Sequence, residues 1–129
     1  MAKSIAQKLL IKSGYTVRFI NAPDDYESQI GELPDNVTLT DSDSADVVQL
    51  FVSNISDLEQ YVSTAINVLK ENGILWISYP KKSSKVETDI SRDVGWDVMD
   101  THDYRPVMQV SIDDTWSALR WRPKDQVGK

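Results

Sequence analysis

Apolar and polar positions alternate along the chain in a way that predicts strands separated by helices. Three compact runs rich in apolar, β-branched and aromatic residues lie at 15–21, 45–52 and 74–79, and a brief fourth run lies at 37–39. The run at 45–52 (ADVVQLFV) is almost continuously apolar, which is typical of a central parallel strand covered on both faces. Strands that alternate with helices predict a parallel sheet with right-handed crossovers.

Helical spacing and capping residues predict four helices between these strands. Short helices are expected at 3–12 and before Gly31. The best-defined helix has a capping-box match between Ser56 and Glu59, and Asn72-Gly73 is expected to end it. A further helix is expected from Ser84 onward. Its apolar stripe consists of Val86, Ile90, Val94 and Val98.

The periodicity changes near the C-terminus. Apolar residues alternate with polar ones on both sides of the turn Asp113-Asp114, which predicts an antiparallel hairpin. The expected fold class is therefore α/β, with three layers and a mostly parallel, twisted sheet that ends in a C-terminal antiparallel hairpin. One domain over residues 1–122 is predicted, with a loose tail at 123–129.

Composition and charge narrow the chemistry. The 129 residues include no cysteine and one histidine, His102, which argues against a disulfide scaffold, a thiolate or multi-histidine metal site and a histidine-based triad. Twenty acidic residues against fourteen basic ones give a formal charge of −6, which argues against a nucleic-acid partner. No apolar run approaches the roughly 20 residues that span a bilayer, and the first residues lack a signal-peptide core. A soluble, cytoplasmic protein with no membrane partner is predicted.

Two features of the sequence resemble a known class of protein: the order of the predicted elements and the local segment 68–77 (VLKENGILWI). Both resemble the C-terminal half of Rossmann-like methyltransferases that depend on S-adenosylmethionine (SAM). In those enzymes a fifth strand is followed by a helix, a sixth strand and a reversed seventh strand, and the segment looks like their "LKPGG–hydrophobic strand" motif. The resemblance implies a glycine-rich turn after the first strand and an acidic residue after the second, which together hold the cofactor.

This chain departs from that pattern in its N-terminal half. The first strand runs into Asn21-Ala22-Pro23, and no glycine follows before Gly31. Proline fixes φ and offers no N–H to a ligand. Asp41 or Asp43 is a candidate for the acidic residue, but the stretch 21–45 is too short for two full helix–strand units. We therefore expect a truncated N-terminal half and no resident cofactor, with SAM binding kept as an alternative.

A second resemblance covers nearly the whole chain. Five separated blocks stand in order at 10–14 (LIKSG), 21–26 (NAPDDY), 79–81 (YPK), 88–89 with 92–93 (TD and RD), and 113–120 (DDTWSALR). Together they resemble a small bacterial family catalogued as domain of unknown function 3052. This resemblance implies a bacterial protein and carries no activity with it.

A candidate site follows from topology alone. In open α/β sheets ligands bind outside the carboxyl ends of the parallel strands. That edge is expected to receive residues that follow each strand and residues of the hairpin turn. The candidate ligand-binding residues are Asn21, Pro23, Tyr26, Ser53, Tyr79, Lys81, Lys82, Ser83, Asp113 and Asp114.

Each candidate has a functional and a structural interpretation. The lysines precede a predicted helix N-terminus, so they either hold a phosphate or carboxylate or form a solvated basic loop. Asp113 and Asp114 act as a base or bind an amine or metal, form a bridge with Lys81 that closes the cleft, or only shape the turn. Asn21 donates to a ligand or stabilises the following turn. Tyr26 and Tyr79 stack on a planar ligand or pack against the sheet.

No catalytic or metal-binding residue is assigned from this pattern. The favoured hypothesis is a non-catalytic module that binds a small anionic or nucleotide-like ligand on a degenerate methyltransferase-like fold. One alternative is a SAM-dependent methyltransferase. Another is an interaction or assembly protein, which would form a homodimer through the sheet edge or the N-terminal helix.

Overall fold

The computed structural model describes residues 5–24, 26–31, 33–40, 44–81, 88–91 and 94–124. In this part of the chain short helices alternate with strands until a final hairpin. The helices are α1 (Ile5–Lys8), α2 (Tyr26–Ile30), α3 (Ile55–Val68) and α4 (Asp97–Thr101). The strands are β1 (Thr16–Ile20), β2 (Thr38–Leu39), β3 (Ala45–Phe51), β4 (Leu69–Pro80), β5 (Tyr104–Ser111) and β6 (Trp116–Pro123).

The strands form one mixed sheet in the order β2-β1-β3-β4-β6-β5. The pairs β1–β2, β1–β3 and β3–β4 are parallel. Strand β6 inserts between β4 and β5 and is antiparallel to both. The predicted fold class is confirmed: a mostly parallel sheet that ends in an antiparallel hairpin.

Strand β3 lies in the middle of the sheet and contributes to a core on each face. Because side chains alternate along a strand, Val48 and Leu50 pack against α3, whereas Val47 and Phe51 pack on the side of α1 and α2. We call these two sides the α3 face and the α1 face. On the α1 face the indole Nε1 of Trp76 donates to the carbonyl of Leu9 over 2.9 Å, which fastens the end of the α1 segment to the sheet.

Helix α3 differs from its predicted bounds at both ends. Its N-cap is Asn54, whose side chain accepts a hydrogen bond from the N–H of Asp57, so the proposed cap at Ser56 was wrong. The helix ends at Val68, and β4 begins at once with Leu69. The pairing of β3 with β4 shifts register in this stretch, and a Cβ on Gly73 would lie 2.7 Å from the Leu69 side chain. Gly73 therefore serves a tight crossing of the backbone, not a helix end.

The helix predicted from Ser84 is not present where the structure describes it. Residues 84–87 lie outside the described residues, and 88–91 are not helical. The hydroxyl of Thr88 accepts from the N–H of Ile90, which offers the backbone a local alternative to helix. Gly95 has φ +103, a conformation that ends any helix of L-residues there, and α4 is the one helix that follows it within the described residues.

Strand β6 continues to Pro123, and the N–H of Lys124 donates to the carbonyl of Asp103 over 2.8 Å. The last part of the predicted tail, 125–129, lies outside the described residues. Within the ranges described, no helix is long and apolar enough to cross a membrane.

Candidate functional site

Four strands run in the same direction, and their carboxyl ends lie on one side of the sheet. Strands β1, β3, β4 and β5 terminate at Ile20, Phe51, Pro80 and Ser111, and β6 starts beside them at Trp116. The register agrees, because Pro80 and Ser111 flank the first residues of β6 as partners of Trp116 and Ser117. We call this the strand-end edge. The topology brings the candidate residues that the structure describes to this edge or to the loops that follow it.

Asn21 forms the turn after β1, and its side chain binds another part of the chain. It has φ +59, the left-handed region that glycine and asparagine tolerate best, so it replaces the glycine expected from the methyltransferase pattern. Its side-chain Nδ2 donates to the carbonyl of Phe51 over 2.9 Å and ties the ends of β1 and β3 together. Pro23 accepts from the N–H of Tyr26 over 3.0 Å and starts α2. Both residues therefore have structural contacts at the predicted site.

Tyr26 is buried beneath the strand-end edge on the α1 face, with 1% of its surface exposed. Its hydroxyl donates to Oε1 of Gln49 over 2.8 Å, and Nε2 of Gln49 donates to the hydroxyl of Ser78 over 2.9 Å. Burial raises the pKa of the Tyr26 phenol, the contact with Gln49 lowers it by less, and the charge of Asp113 raises it further. Tyr26 is thus a neutral donor in a buried chain of three polar side chains.

Aromatic rings fill the space around Tyr26. Its ring meets those of Phe19 and Phe51 edge-on, with centroids 5.0 and 4.6 Å away. Phe51 in turn meets Trp116 edge-on at 5.2 Å. We call Phe19, Tyr26, Phe51 and Trp116 the aromatic row. Edge-to-face rings at these separations are favourable contacts, so the row is a packed layer under the edge.

The loop after β3 is occupied by helix capping. The N–H of Ser53 donates to Oδ2 of Asp57, and the N–H of Ile55 donates to Oδ1 of Asp89 over 2.8 Å. A helix N-terminus favours anions because its first N–H groups are unpaired and its dipole is positive there. At α3 two carboxylates of the chain itself take that position. Ser53 thus serves the cap in this structure.

Tyr79 lies on the other face of the sheet from Tyr26. It is 3% exposed, meets Trp96 edge-on at 5.6 Å, and its hydroxyl accepts from Nε2 of Gln109 over 2.6 Å. The two tyrosines considered for stacking on one planar ligand are therefore separated by the sheet, and Tyr79 packs against the α3-face core.

Two lysines meet on one residue at the rim of the edge. Nζ of Lys81 donates to the hydroxyl of Ser111 over 2.6 Å, and Nζ of Lys8 donates to the carbonyl of the same residue over 2.9 Å. We call Lys8 and Lys81 the lysine pair. Lys8 was missed from sequence, since only the packing of α1 brings it here. Lys82 and Ser83 lie outside the described residues.

Asp113 shapes the hairpin turn. Its Oδ1 accepts from the N–H groups of Thr115 and Trp116, both over 2.8 Å, and Lys81 supports the same turn through an N–H bond to the carbonyl of Thr115. Asp114 is exposed. Among the residues that the structure describes, no group of three or more histidine, aspartate or glutamate side chains is placed to hold a metal ion.

Fold and edge together define a methyltransferase-like Rossmann domain. A SAM-dependent methyltransferase from Aquifex aeolicus matches with a TM-score of 0.55 and 15% identity, over 91% of this chain and 86% of that one. The DhpI–SAH complex matches with a TM-score of 0.60 and 9% identity, over 93% and 82%. The fibrillarin pre-rRNA processing protein of Methanococcus jannaschii matches at 0.56 and 14%, over 96% and 71%.

At these identities the likeness concerns the fold alone. No family model matches the chain, and no curated protein matches it in sequence. The methyltransferase-like architecture is confirmed, and membership of the uncharacterised bacterial family stays a prediction from the five sequence blocks.

Proposed function

We propose that this chain is a non-catalytic binding module for a small anionic ligand, built on a methyltransferase-like fold. The proposal rests on how the strand-end edge is filled and which side chains lie at its rim. Its deeper part is filled by Tyr26, and its rim carries the lysine pair on Ser111. A packed interior and a rim with two lysines favour a small ligand held at the surface over a cofactor inserted between the strands.

The filled interior argues against a deeply bound cofactor. The Tyr26 hydroxyl is held by Gln49, and its ring is held by Phe19 and Phe51. Moving the Tyr26 side chain out of this layer would leave the buried Oε1 of Gln49 without its donor. A ligand that occupied this space would therefore have to replace the ring contacts of Tyr26 and its hydrogen bond to Gln49.

The rim favours an anion because two ammonium groups converge there. Lys8 and Lys81 come from opposite parts of the sequence and donate to the carbonyl and hydroxyl of one serine. A bound anion would be attracted to both ammonium groups. Phosphate and carboxylate oxygens accept well from such charged donors.

Thermal unfolding with inorganic phosphate tests the rim. A ligand present at about 100 times its dissociation constant stabilises the folded protein by about 2.7 kcal/mol, which raises Tm by several degrees. We expect phosphate to raise Tm of the wild type, and the double variant Lys8→Gln/Lys81→Gln to show a smaller rise. Lys12→Gln, at an exposed lysine away from the rim, is the control for the loss of a surface lysine. An unchanged response in the double variant would overturn the proposal.

SAM-dependent methyl transfer is the second candidate, favoured by the fold shared with the DhpI–SAH complex. The same assay decides it with S-adenosylhomocysteine in place of phosphate. Under our proposal this compound leaves Tm unchanged. A clear upward shift that Tyr26→Phe preserves would mean that a cofactor pocket exists beside the aromatic row, and methyl transfer would then replace the binding-module proposal.

A further inference from the structure

Three arginines lie together on the α1 face of the hairpin, away from the strand-end edge. Arg120 pairs across the sheet with Trp76, whose side chain belongs to the α1-face core, and Arg122 lies two residues further along the same face. Arg105 of β5 stands directly opposite Arg122. Paired residues of antiparallel strands project to the same face, so the three guanidinium groups share one surface.

This arrangement is unfavourable in the protein alone. Like charges directly opposite each other on neighbouring strands repel. Nε of Arg120 is buried without a hydrogen-bond partner in the described structure. Burial and the charge of Arg122 both lower the pKa of Arg120. Each of these features is relieved by an acceptor that carries negative charge.

No carboxylate in the described ranges forms an ion pair with these three arginines. Other cations do find such partners: Lys70 lies 3.5 Å from Asp46, and Lys124 lies 3.0 Å from Asp100. The chain has an excess of six negative charges overall, so a concentration of three guanidinium groups on one strand pair is a marked departure from its surroundings.

We propose that Arg105, Arg120 and Arg122 form a binding site for the phosphate groups of a small ligand. The guanidinium fork offers paired N–H donors that match phosphate oxygens, and Arg105 is exposed while Arg122 is half-buried, so both can reach a ligand at the surface. Met108 stands opposite Arg120 on the same face and is 42% exposed, which provides an apolar surface for the uncharged part of the ligand.

This site is separate from the lysine pair and does not rest on the proposal made for the strand-end edge. Arg105 and Ser111 are six residues apart on β5, which corresponds to roughly 20 Å along a strand. One phosphate group therefore cannot contact both Arg105 and the lysine pair at once. Variants of the two sites separate the two proposals in one experiment.

Isothermal titration with inorganic pyrophosphate at low salt tests the arginine site. We expect the wild type to bind pyrophosphate and Arg105→Gln to weaken that affinity about tenfold, since an exposed arginine is replaced without loss of packing. Lys12→Gln is the control, with at most about a twofold change expected. The Lys8→Gln/Lys81→Gln double variant should still bind pyrophosphate, because it keeps the three arginines. Absence of binding at millimolar pyrophosphate would overturn the proposal. So would loss of binding in the lysine variant with full retention in Arg105→Gln.

Charge reversal adds a readout that a merely structural role would not produce. Arg105→Glu places an opposite charge beside Arg122, so Tm without ligand should rise by about 2 °C while the response to pyrophosphate becomes smaller. A lower Tm together with an intact response would contradict the site. A short single-stranded DNA forms the last arm. Pyrophosphate should displace it, whereas DNA that binds tightly and resists displacement would overturn the assignment to a small ligand.

Discussion

At the scale of single residues, Tyr26 determines the character of the strand-end edge. From sequence it is one aromatic residue after a strand, with stacking on a ligand and packing both open. In the structure its ring belongs to the aromatic row, and its hydroxyl donates to Gln49. Gln49 itself stands inside an apolar strand, and its polarity makes sense only once Tyr26 and Ser78 are seen beside it.

Replacing Tyr26 by phenylalanine should destabilise the protein by about 1–3 kcal/mol, because Oε1 of Gln49 loses its donor in a fully buried position. Chemical denaturation of both proteins measures the difference. Tyr15→Phe, at a partly buried tyrosine on the same face, is the matched control and should change stability by less. Equal effects at both positions would contradict a special role for the buried hydrogen bond.

The same pair of proteins should differ in their response to alkaline pH. The pKa of Tyr26 is raised in the folded state, so the stability that its neutral form contributes is intact below the unfolded pKa of about 10. That contribution is lost as the pH rises from there towards the folded pKa. The stability advantage of the wild type over Tyr26→Phe should therefore shrink above about pH 10. An advantage that stays constant with pH would show that Tyr26 ionises as freely in the fold as in the unfolded chain.

At the scale of elements, the start of α3 shows that a capping motif recognised from local spacing is not the cap that the folded chain uses. Ser56 and Glu59 have capping-box spacing, but the helix begins two residues earlier at the cap Asn54. Asp57 and Asp89 then receive the N–H groups of Ser53 and Ile55. Asp89 comes from a distant loop, which no local pattern reveals.

Asn54→Ala should cost about 0.5–2 kcal/mol, since the N–H of Asp57 loses its acceptor at the helix N-terminus. Ser56→Ala is the control at the cap expected from sequence, and its exposed side chain should contribute less than about 0.5 kcal/mol. Thermal or urea unfolding of the two variants measures this contrast. A larger loss at Ser56 would restore the capping box in solution.

The expected effect of replacing Gly95 by alanine is stabilising from the sequence but destabilising from the structure. Within the predicted helix it would be a weak point that alanine improves by roughly 1 kcal/mol. In the structure it has φ +103, and a Cβ there would lie 2.9 Å from the side chains of Ile55 and Ile90. The position therefore joins the loop to α3 by a close approach that only glycine allows.

Gly95→Ala should destabilise the protein by about 2–4 kcal/mol through backbone strain and overpacking. Its neighbour Val94 is 58% exposed, so Val94→Ala is a control expected to stay within about 0.5 kcal/mol. The free energy of unfolding of both variants provides the test. A stabilising Gly95→Ala would instead indicate helix at this position.

At the scale of the whole molecule, the sheet has two free edges that differ in kind. Strand β2 is only two residues long, whereas β5 is a largely exposed strand of eight residues. Exposed edges of that length favour pairing with another chain. Strand β5 carries Pro106 and a register shift between Pro106 and Met108, both of which interrupt a regular edge.

Pro106→Val should increase self-association, because it removes the proline from an edge that also exposes Val107 and Met108. Sedimentation velocity over a range of concentrations measures this, with the wild type compared at the same concentrations. Adding Val107→Lys to that variant should reverse the association, since a charged edge opposes pairing. A wild type that already associates as strongly as Pro106→Val would support the homodimer alternative.

The fold could be predicted further than the site. Alternation and apolar runs located β1, β3 and the hairpin because a strand buries its side chains with a period of two, which is a local property. The prediction of a helix after Ser84 was wrong over the described residues, because Ile90 and Val94 of its apolar stripe lie in an irregular loop. The strand-end rule predicted which residues the topology brings to one edge, and their role in binding a ligand stays a prediction. It could not tell that the side chains of Asn21 and Asp113 bind backbone groups there, or that the N–H of Ser53 donates to Asp57.

The sequence by itself determined the class of fold, the buried central strand and the absence of cysteine chemistry, since these depend on local periodicity and on composition. Only the tertiary structure decided which side chains meet. Lys8 reaches Lys81 at Ser111, Tyr26 reaches Ser78 through Gln49, and Arg105 faces Arg122. Each of these meetings depends on the register and packing of segments far apart in the chain, and no local pattern encodes such pairings.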